Sequence, residues 1–200
     1  MTQRKVSRTM LALAVLAGLA AGAASAIWTM KRGGLAAVGS GWQTSKLAGA
    51  AAADPWTRAR VALTGLLALN RSQAIYFTTA SDSSGAPLDE ACRYRVSGGA
   101  MPARWWSVTV YADDDYLPQN EDNALSFDAT RVKTDAAGNW QALVSPRRDA
   151  AAPDMAWASS NKAGRFTLTL RLYNPSPAVQ ANSALVPLPL VTRIDCGGRP

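Results

Sequence analysis

The feature that most restricts the fold is a strict alternation of side-chain types in residues 165–173, which read RFTLTLRLY. One series is apolar and the other polar: Phe166, Leu168, Leu170 and Leu172 against Thr167, Thr169 and Arg171. Successive side chains of a β-strand point to opposite faces, so this segment would present one apolar face and one polar face. The pattern predicts a strand of an antiparallel sheet with one buried side.

Similar short alternating or apolar runs recur along the chain. We predict further strands at residues 74–79, 91–97, 104–112, 139–145 and 190–196. Turn-forming clusters such as Asp82–Gly85 and Asp135–Gly138 separate them. One helix is expected to begin at Asp54, a good N-cap residue, followed by Pro55 at the first helical position. Together these elements predict a mostly β, antiparallel sandwich with one short amphipathic helix.

The predicted strand ARWWSVTVY at residues 103–111 raises the question of what covers two adjacent tryptophans. Trp105 and Trp106 must point to opposite faces. Trp106 shares its row with Val108 and Val110, which favours the inner face. Trp105 lies in a mixed row with Ser107, Thr109 and Tyr111. We expect either that the helix from Asp54 covers this row, through Trp56, Leu63 and Leu67, or that the row stays open as an aromatic platform.

An uncharged segment occupies residues 10–30 and follows the basic residues Arg4, Lys5 and Arg8. Its length matches a bilayer crossing at 1.5 Å per residue, so we expect an uncleaved membrane anchor. Cleavage after the small residues Ala24-Ser25-Ala26, as in a signal peptide, is the alternative. The excess of basic residues before the segment favours an N-terminus inside the cytoplasm. We therefore divide the chain into an anchor or signal segment (1–32), a linker (33–53) that begins rich in glycine, and a folded domain (54–200).

The chain contains two cysteines, Cys92 and Cys196, and both lie in the domain that would be exported. An even number of cysteines in an exported domain favours a disulfide, whereas two separate buried thiols are the alternative.

Four motifs occur in order along the domain. They are Tyr76-Phe77 leading to Asp82-x-x-Gly85-x-x-Leu88-Asp89, then Pro102-Ala103-Arg104-Trp105-Trp106-Ser107-x-Thr109-x-Tyr111, then Asp135-x-x-Gly138, then Leu168-x-Leu170-Arg171-x-Tyr173. In this order they resemble the bacterial "domain of unknown function 1214" family, over roughly residues 54–196. The resemblance implies a jelly-roll-like β-sandwich, often behind an N-terminal membrane segment or beside a companion domain. It implies no catalytic residues.

The composition excludes several kinds of chemistry. The chain has no histidine, which removes Ser-His-Asp catalysis and histidine-ligated zinc. Two cysteines cannot form a four-cysteine metal site, and we expect no metal and no cofactor. The net charge of +7 falls to +4 once Arg4, Lys5 and Arg8 are set aside, without a clustered basic stripe. Nucleic acid is therefore not an expected partner.

Carboxylates are the remaining groups for hydrolysis. A glycan hydrolase needs two carboxyl groups across a cleft, and the acidic residues to consider are Asp82, Asp89, Glu90, Asp113, Asp114, Asp115, Glu121 and Asp122. A solvated loop or self-capped turn explains the same residues. The loop DDDYLPQNEDN does not follow the ligand spacing of a calcium hand.

Arginines and aromatic residues on the polar rows form the stronger candidate site. The candidate ligand-binding residues are Arg93, Arg95, Trp105, Tyr111, Arg171 and Tyr173. Arginine forks bind carboxylates or phosphates and flat rings stack on sugars, so this set fits an anionic envelope glycan or a lipid head group. Alternatively, the arginines pair with acidic neighbours across strands while the aromatic rings are buried.

Taken together, the patterns predict a single-pass inner-membrane protein whose C-terminal domain lies in the periplasm. We expect a binding or structural role in the cell envelope, with a carboxylate-dependent glycan hydrolase as the alternative. No protein partner is indicated.

Overall fold

The computed structural model describes residues 7–32, 36–45, 53–63 and 69–197. The strands are β1 (Ala36–Gly39), β2 (Trp42–Thr44), β3 (Ala74–Thr79), β4 (Cys92–Gly98), β5 (Ala103–Ala112), β6 (Ser126–Asp128), β7 (Trp140–Ser145), β8 (Ala156–Ser159), β9 (Phe166–Pro175) and β10 (Leu190–Cys196). The helices are α1 (Arg8–Arg32), α2 (Pro55–Leu63) and α3 (Pro177–Ala181), and a 3₁₀ turn follows at Ser183–Leu185.

The strands form two sheets. Six strands pair in the order β1-β2-β3-β9-β5-β6, and four pair in the order β10-β4-β7-β8. Neighbouring strands run antiparallel, except that β7 and β8 run parallel. The mostly β fold with two packed sheets is as the alternating patterns predict.

The core lies between the two sheets. The apolar row of β9 is buried in full, with Phe166 2% exposed and the three leucines at 0%. On the neighbouring strand β5, Trp106 is the register partner of Leu172, and Val108 is the register partner of Leu170. Trp106 stacks on Trp140 of the other sheet, with ring centroids 4.5 Å apart. The core therefore joins the layers through the row that the alternation assigns to the inside.

The N-terminal strands depart from the prediction of a linker over 33–53, because residues 36–44 form the hairpin β1–β2 of the larger sheet. Trp42 is fully buried, and its indole Nε1 donates a hydrogen bond to the carbonyl of Pro189 at 2.7 Å. Strands of three and four residues are too short to show a period. Their position depends on pairing with β3, which sequence patterns do not reveal.

The helix predicted from Asp54 is present as α2. The carboxylate of Asp54 accepts hydrogen bonds from the backbone N–H groups of Trp56 (2.9 Å) and Thr57 (3.1 Å), as an N-cap does. Trp56 is 50% exposed, and α2 contacts α1. Trp56 is thus not a buried cover for the outer row of β5, whereas the side chain of Leu63 and the whole of Leu67 lie outside the described part of the chain. Helix α3 and strands β6 and β8 were not predicted, since each spans five residues or fewer.

Cys92 and Cys196 form a disulfide, with Cα atoms 3.8 Å apart. The two residues are register partners on β4 and β10, so the bond ties the edge strand β10 to its neighbour. The predicted disulfide is therefore present, and the alternative of two separate thiols is wrong.

Helix α1 contains 22 residues, Arg8–Thr29, that are long and apolar enough to cross a bilayer. At 1.5 Å per residue they extend about 33 Å, close to the thickness of a bilayer's hydrocarbon core. A signal sequence has the same length and composition, so both alternatives stay open.

We expect Cys196→Ser to lower the free energy of unfolding by about 4 to 5 kcal/mol, because the disulfide closes a long loop of 104 residues. Cys196 is the exposed partner, so the substitution leaves the core intact. Urea unfolding of the full chain in detergent measures the loss, and reduction of the wild type should reproduce it. Two free thiols in the unreduced, denatured chain would contradict the bond.

Trp42→Ala should destabilise the protein by about 3 to 5 kcal/mol, since it removes a fully buried ring and leaves the Pro189 carbonyl without its donor. The neighbouring Gln43→Ala is the matched control, because Gln43 is exposed on the opposite face and should shift stability by less than about 0.5 kcal/mol. Equal unfolding midpoints for the two variants would show that the hairpin is not part of the cooperative unit.

Candidate functional site

The structure divides the six candidate residues between two surfaces. Trp105 and Tyr111 on β5 and Arg171 and Tyr173 on β9 lie on the outer face of the six-stranded sheet. The other two, Arg93 and Arg95 on β4, lie on the outer face of the four-stranded sheet. The outer faces of a two-layer sandwich point away from each other, so the six candidate residues do not share one surface.

Arg93 is paired with acidic residues, as the alternative interpretation holds. Its guanidinium binds the carboxylate of Asp195 and lies 3.3 Å from that of Asp149. The hydrogen bond from Arg93 lowers the pKa of Asp195. Arg95 is exposed and faces Thr192 and Leu143 across the neighbouring strands. This surface therefore offers one arginine already neutralised and one isolated in water.

On the outer face of the larger sheet, several side chains contact Arg171. We call this group the Arg171 cluster, and it comprises Arg171, Tyr76, Thr109 and Tyr111. Arg171 Nη1 donates to Thr109 Oγ1 at 2.9 Å, and Nη2 donates to the hydroxyl of Tyr111. The guanidinium carbon lies 5.3 Å from the ring centre of Tyr111 and 5.9 Å from that of Tyr76. Two tyrosine rings and two hydroxyl groups thus hold the side chain in one place.

The positive charge of Arg171 has no acidic partner. All 14 acidic side chains fall within the described residues, and the ion pairs there involve Arg93, Arg131, Lys133 and Arg193. By strand register, Asp128 on β6 lies beyond Ser107 on this face, and it pairs with Arg131 at 3.7 Å. Burial raises the pKa of Tyr76, which keeps its phenol neutral at physiological pH. Arg171 is therefore fixed by neutral groups alone.

A second aromatic pair extends the face along the same strands. Trp105 and Tyr173 are register partners with ring centres 5.1 Å apart and planes tilted by 50°. The other positions of this face on β5 and β9 include small hydroxyl residues, each at most 9% exposed: Ser107, the register partner of Arg171, and the next pair along, Thr109 and Thr169. The face thus combines half-buried rings, one fixed guanidinium and small hydroxyl residues.

Tyr76 was not among the predicted site residues. The alternation of β3 places its side chain on the outer face, but the pairing of β3 with β9 brings it beside Arg171. That pairing joins residues almost a hundred positions apart, and no local pattern signals it.

A groove of about 1010 Å³ lies elsewhere, between the turn before β7 and the segment before β8. Its charged side chains include Lys133 and Asp154, which neutralise each other at 3.0 Å. Trp140 borders the groove but is 2% exposed, with its Nε1 donating to the carbonyl of Gly99. The groove is large enough for a ligand. Its Lys133–Asp154 ion pair, however, leaves less charge available for binding than the guanidinium of the Arg171 cluster does. None of the six candidate residues lines it.

The carboxylates considered for hydrolysis are of two kinds, those bound by neighbouring groups and those exposed in a loop. Asp82 is buried, accepts hydrogen bonds from Ser84 and Ala86, and pairs with Arg193 at 2.9 Å. Asp89 accepts from the backbone of Ala91, and Glu90 accepts from the backbone N–H of Gly164. Asp113, Asp114 and Asp115 form an exposed loop, and Asp122 accepts from Ser159 and Asn161. Among the described residues, no group of three or more Cys, Asp or Glu could hold a metal ion.

Comparisons with known proteins identify the fold and a family. Residues 73–177 match the family described as "Protein of unknown function (DUF1214)". The VPA0106 protein from Vibrio parahaemolyticus, a solved crystal structure, is similar with a TM-score of 0.60 at 20% identity, covering 96% of this chain and 47% of that one. A putative uncharacterized protein from Burkholderia cenocepacia gives a TM-score of 0.42 at 17% identity, covering 88% and 51%. The chain therefore spans about half the length of these structures. No curated protein matches it.

Asp82 gives a prediction on acid stability. Burial by itself would raise its pKa, but the hydrogen bonds from Ser84 and Ala86 and the charge of Arg193 outweigh burial and bring the pKa below its ordinary value of 3.8. A carboxyl with a depressed folded-state pKa stabilises the protein above about pH 4 and loses that contribution as the pH falls through the folded-state value. We expect Asp82→Asn to cost about 1.5 to 3 kcal/mol at pH 7, with a smaller difference from wild type below about pH 4.

Urea unfolding at a series of pH values measures this difference. Asp113→Asn is the matched control, because Asp113 lies in the exposed loop and its replacement should leave stability nearly unchanged. A wild-type to Asp82→Asn difference that does not vary between pH 7 and pH 3 would contradict the assigned role.

Proposed function

The chain belongs to the DUF1214 family of proteins of unknown function, and we propose that its β-sandwich is a non-catalytic binding domain for an anionic sugar of the cell envelope. The observation that carries the proposal is the fixed, half-buried guanidinium of Arg171, which has two tyrosine rings and two hydroxyl groups as neighbours and no acidic partner.

The proposed location in the cell envelope is supported by helix α1 and by the disulfide. Helix α1 is long and apolar enough to span a membrane, and the basic residues before it favour an N-terminus in the cytoplasm. The disulfide between Cys92 and Cys196 fits an oxidising compartment such as the periplasm. We therefore propose a single-pass inner-membrane protein with the sandwich in the periplasm.

The chemistry of the face favours a charged sugar as ligand. A guanidinium presents N–H groups in a planar fork that matches a carboxylate or phosphate, and the structure shows two of its five donors bonded, both to neutral hydroxyls. Half-buried rings such as those of Trp105 and Tyr173 provide flat apolar surface on which a sugar ring can stack. A lipid head group shares the anionic group but has no need of the second aromatic pair.

A carboxylate-dependent hydrolase is less well supported than a binding domain. The carboxyl groups of Asp82, Asp89 and Glu90 are engaged by backbone N–H groups or by Arg193. Each carboxyl whose pKa departs from its ordinary value is shifted downwards, whereas a general acid for glycan hydrolysis needs a raised pKa.

Arg171→Gln should weaken the binding of an oligogalacturonate to the full chain in detergent by about tenfold or more. The substitution removes a charged donor, and a hydrogen bond to a charged group contributes about 1.5 to 3 kcal/mol. Isothermal titration calorimetry measures the affinity, with a neutral malto-oligosaccharide and soluble glycerophosphoglycerol as comparison ligands. We expect the uronate to bind more tightly than both.

Arg95→Gln is the matched control, since it removes an exposed arginine from the other sheet and should leave the affinity unchanged. Arg171→Lys keeps the charge and loses the planar fork, so it should fall between the wild type and Arg171→Gln. Glycerophosphoglycerol binding more tightly than the uronate would move the assignment to lipid head groups. Identical uronate affinities for wild type and Arg171→Gln would rule out this face as the site.

A further inference from the structure

A small pocket lies beside the edge strand of the four-stranded sheet. That edge strand is β8, which pairs with β7 on one side. On its other side, the N–H of Ser159 donates to the carbonyl of Ala124, and the hydroxyl of Ser159 donates to the carboxylate of Asp122 at 2.6 Å. A pocket of about 360 Å³ opens beside these bonds. β8 forms one wall, and residues 122–124, which precede β6, form another.

Trp157 presents unpaired backbone groups on this side of β8. The N–H of Ser160 donates to the carbonyl of Ser145 at the end of β7, whereas the N–H of Ser159 points the other way, to Ala124. Backbone groups alternate in direction along a strand, so the N–H and C=O of Trp157 also point away from β7. Neither has a partner among the residues that the structure describes. The wall formed by β8 therefore offers one donor and one acceptor, both from the same residue.

Two of the charges that line the pocket have no ion-pair partner. The charged side chains of the lining are Asp122, Arg131, Arg148 and Asp154. Arg131 lies 3.7 Å from Asp128, and Asp154 lies 3.0 Å from Lys133, so each of them is paired with a residue outside the pocket. Asp122 and Arg148 form no ion pair with any described residue, including each other. The pocket thus carries one unpaired negative charge and one unpaired positive charge.

Each unpaired charge belongs to an exposed side chain that neutral groups hold in place. Asp122 accepts hydrogen bonds through Oδ2 from Ser159 and, at 3.3 Å, from Asn161, which leaves its Oδ1 without a partner in the described part of the chain. Arg148, in the segment between β7 and β8, donates one of its five N–H groups to the carbonyl of Pro153 at 2.6 Å. One carboxylate oxygen and four guanidinium N–H groups are therefore available to a ligand.

We propose that this pocket binds a free α-amino acid with an apolar side chain. The carboxylate of the ligand accepts hydrogen bonds from Arg148, and its ammonium group donates to Oδ1 of Asp122. The N–H and C=O of Trp157 supply one further donor and acceptor for the same two groups. Met155 and the ring of Trp157, both half-buried, provide apolar surface for the side chain. A volume of about 360 Å³ is at the lower end for ligand pockets, which suits so small a molecule.

The unpaired carboxylate of Asp122 favours a free amino acid over the C-terminus of a peptide. A peptide C-terminus has the same carboxylate for Arg148, but it carries an amide N–H where the amino acid carries an ammonium group. It would leave the negative charge of Asp122 unmatched. The pocket and the Arg171 cluster lie on different sheets, so this inference does not depend on what the Arg171 cluster binds.

Isothermal titration calorimetry of the full chain in detergent tests the proposal with three related ligands. L-leucine carries both charges, N-acetyl-leucine lacks the ammonium group, and leucinamide lacks the carboxylate. Because each derivative loses a hydrogen bond between charged groups, we expect both to bind at least about tenfold more weakly than leucine.

Two variants assign each charge of the ligand to its residue. In Asp122→Asn the ammonium group loses its charged partner, so leucine and N-acetyl-leucine should bind equally. In Arg148→Gln leucine and leucinamide should bind equally for the corresponding reason. Arg147→Gln is the matched control, because Arg147 is the adjacent exposed arginine and does not line the pocket, and its leucine affinity should equal that of the wild type. If Asp122→Asn does not fold, the comparison in Arg148→Gln still tests the pocket, since Arg148 is exposed.

Three outcomes would overturn the inference. The first is the absence of saturable heat when leucine is titrated into the wild type. The second is N-acetyl-leucine that binds to the wild type as tightly as leucine, which would show that the pocket recognises a peptide C-terminus. The third is a preference for leucine over N-acetyl-leucine that persists in Asp122→Asn. Uronate titration of wild type and Arg171→Gln tests the proposed function separately, so either proposal can fail without the other.

Discussion

Burial of one row of side chains on β9 supports the rest of the structure. Leu168, Leu170 and Leu172 are fully buried between the two sheets. β9 is also the central strand that joins β3 to β5. The hydrophobic effect acts on this row from both neighbouring strands and from the facing sheet, so a shift of register by one residue would turn every leucine towards water. The register of the six-stranded sheet, and the position of every residue on its outer face, follow from this burial.

The same register places a positive charge among neutral groups. When the leucines of β9 face inwards, Arg171 must face outwards, and pairing with β3 and β5 puts a tyrosine on each side of it. An arginine held in this way loses rotamer freedom on folding, which lowers the entropy that a ligand must remove. The guanidinium of Arg171 is thereby held in place without an acidic partner, while Arg93 on the other sheet is neutralised by Asp195.

Much of the fold was predictable because the interior is built from local alternation. Trp106 is buried and Trp105 only half-buried, as adjacent positions on a strand require. The cysteine pair was predictable from number and compartment. Trp42 was not predictable, because a three-residue strand carries no period and its burial depends on the carbonyl of Pro189, 147 positions away. The candidate site was predictable only in part. The alternation along each strand indicated which side chains face outwards, but it could not show that Arg93 and Arg171 lie on different sheets.

The sequence by itself determined which side chains must leave water, that the domain is built from β-strands, and that histidine chemistry is absent, since these depend on residue type and on spacing along one strand. Only the tertiary structure decided which strands are neighbours. It therefore decided that Tyr76 and Tyr111 flank Arg171 and that Arg93 has acidic partners. Such contacts join residues far apart in the chain, and their free energy comes from packing that no local pattern records.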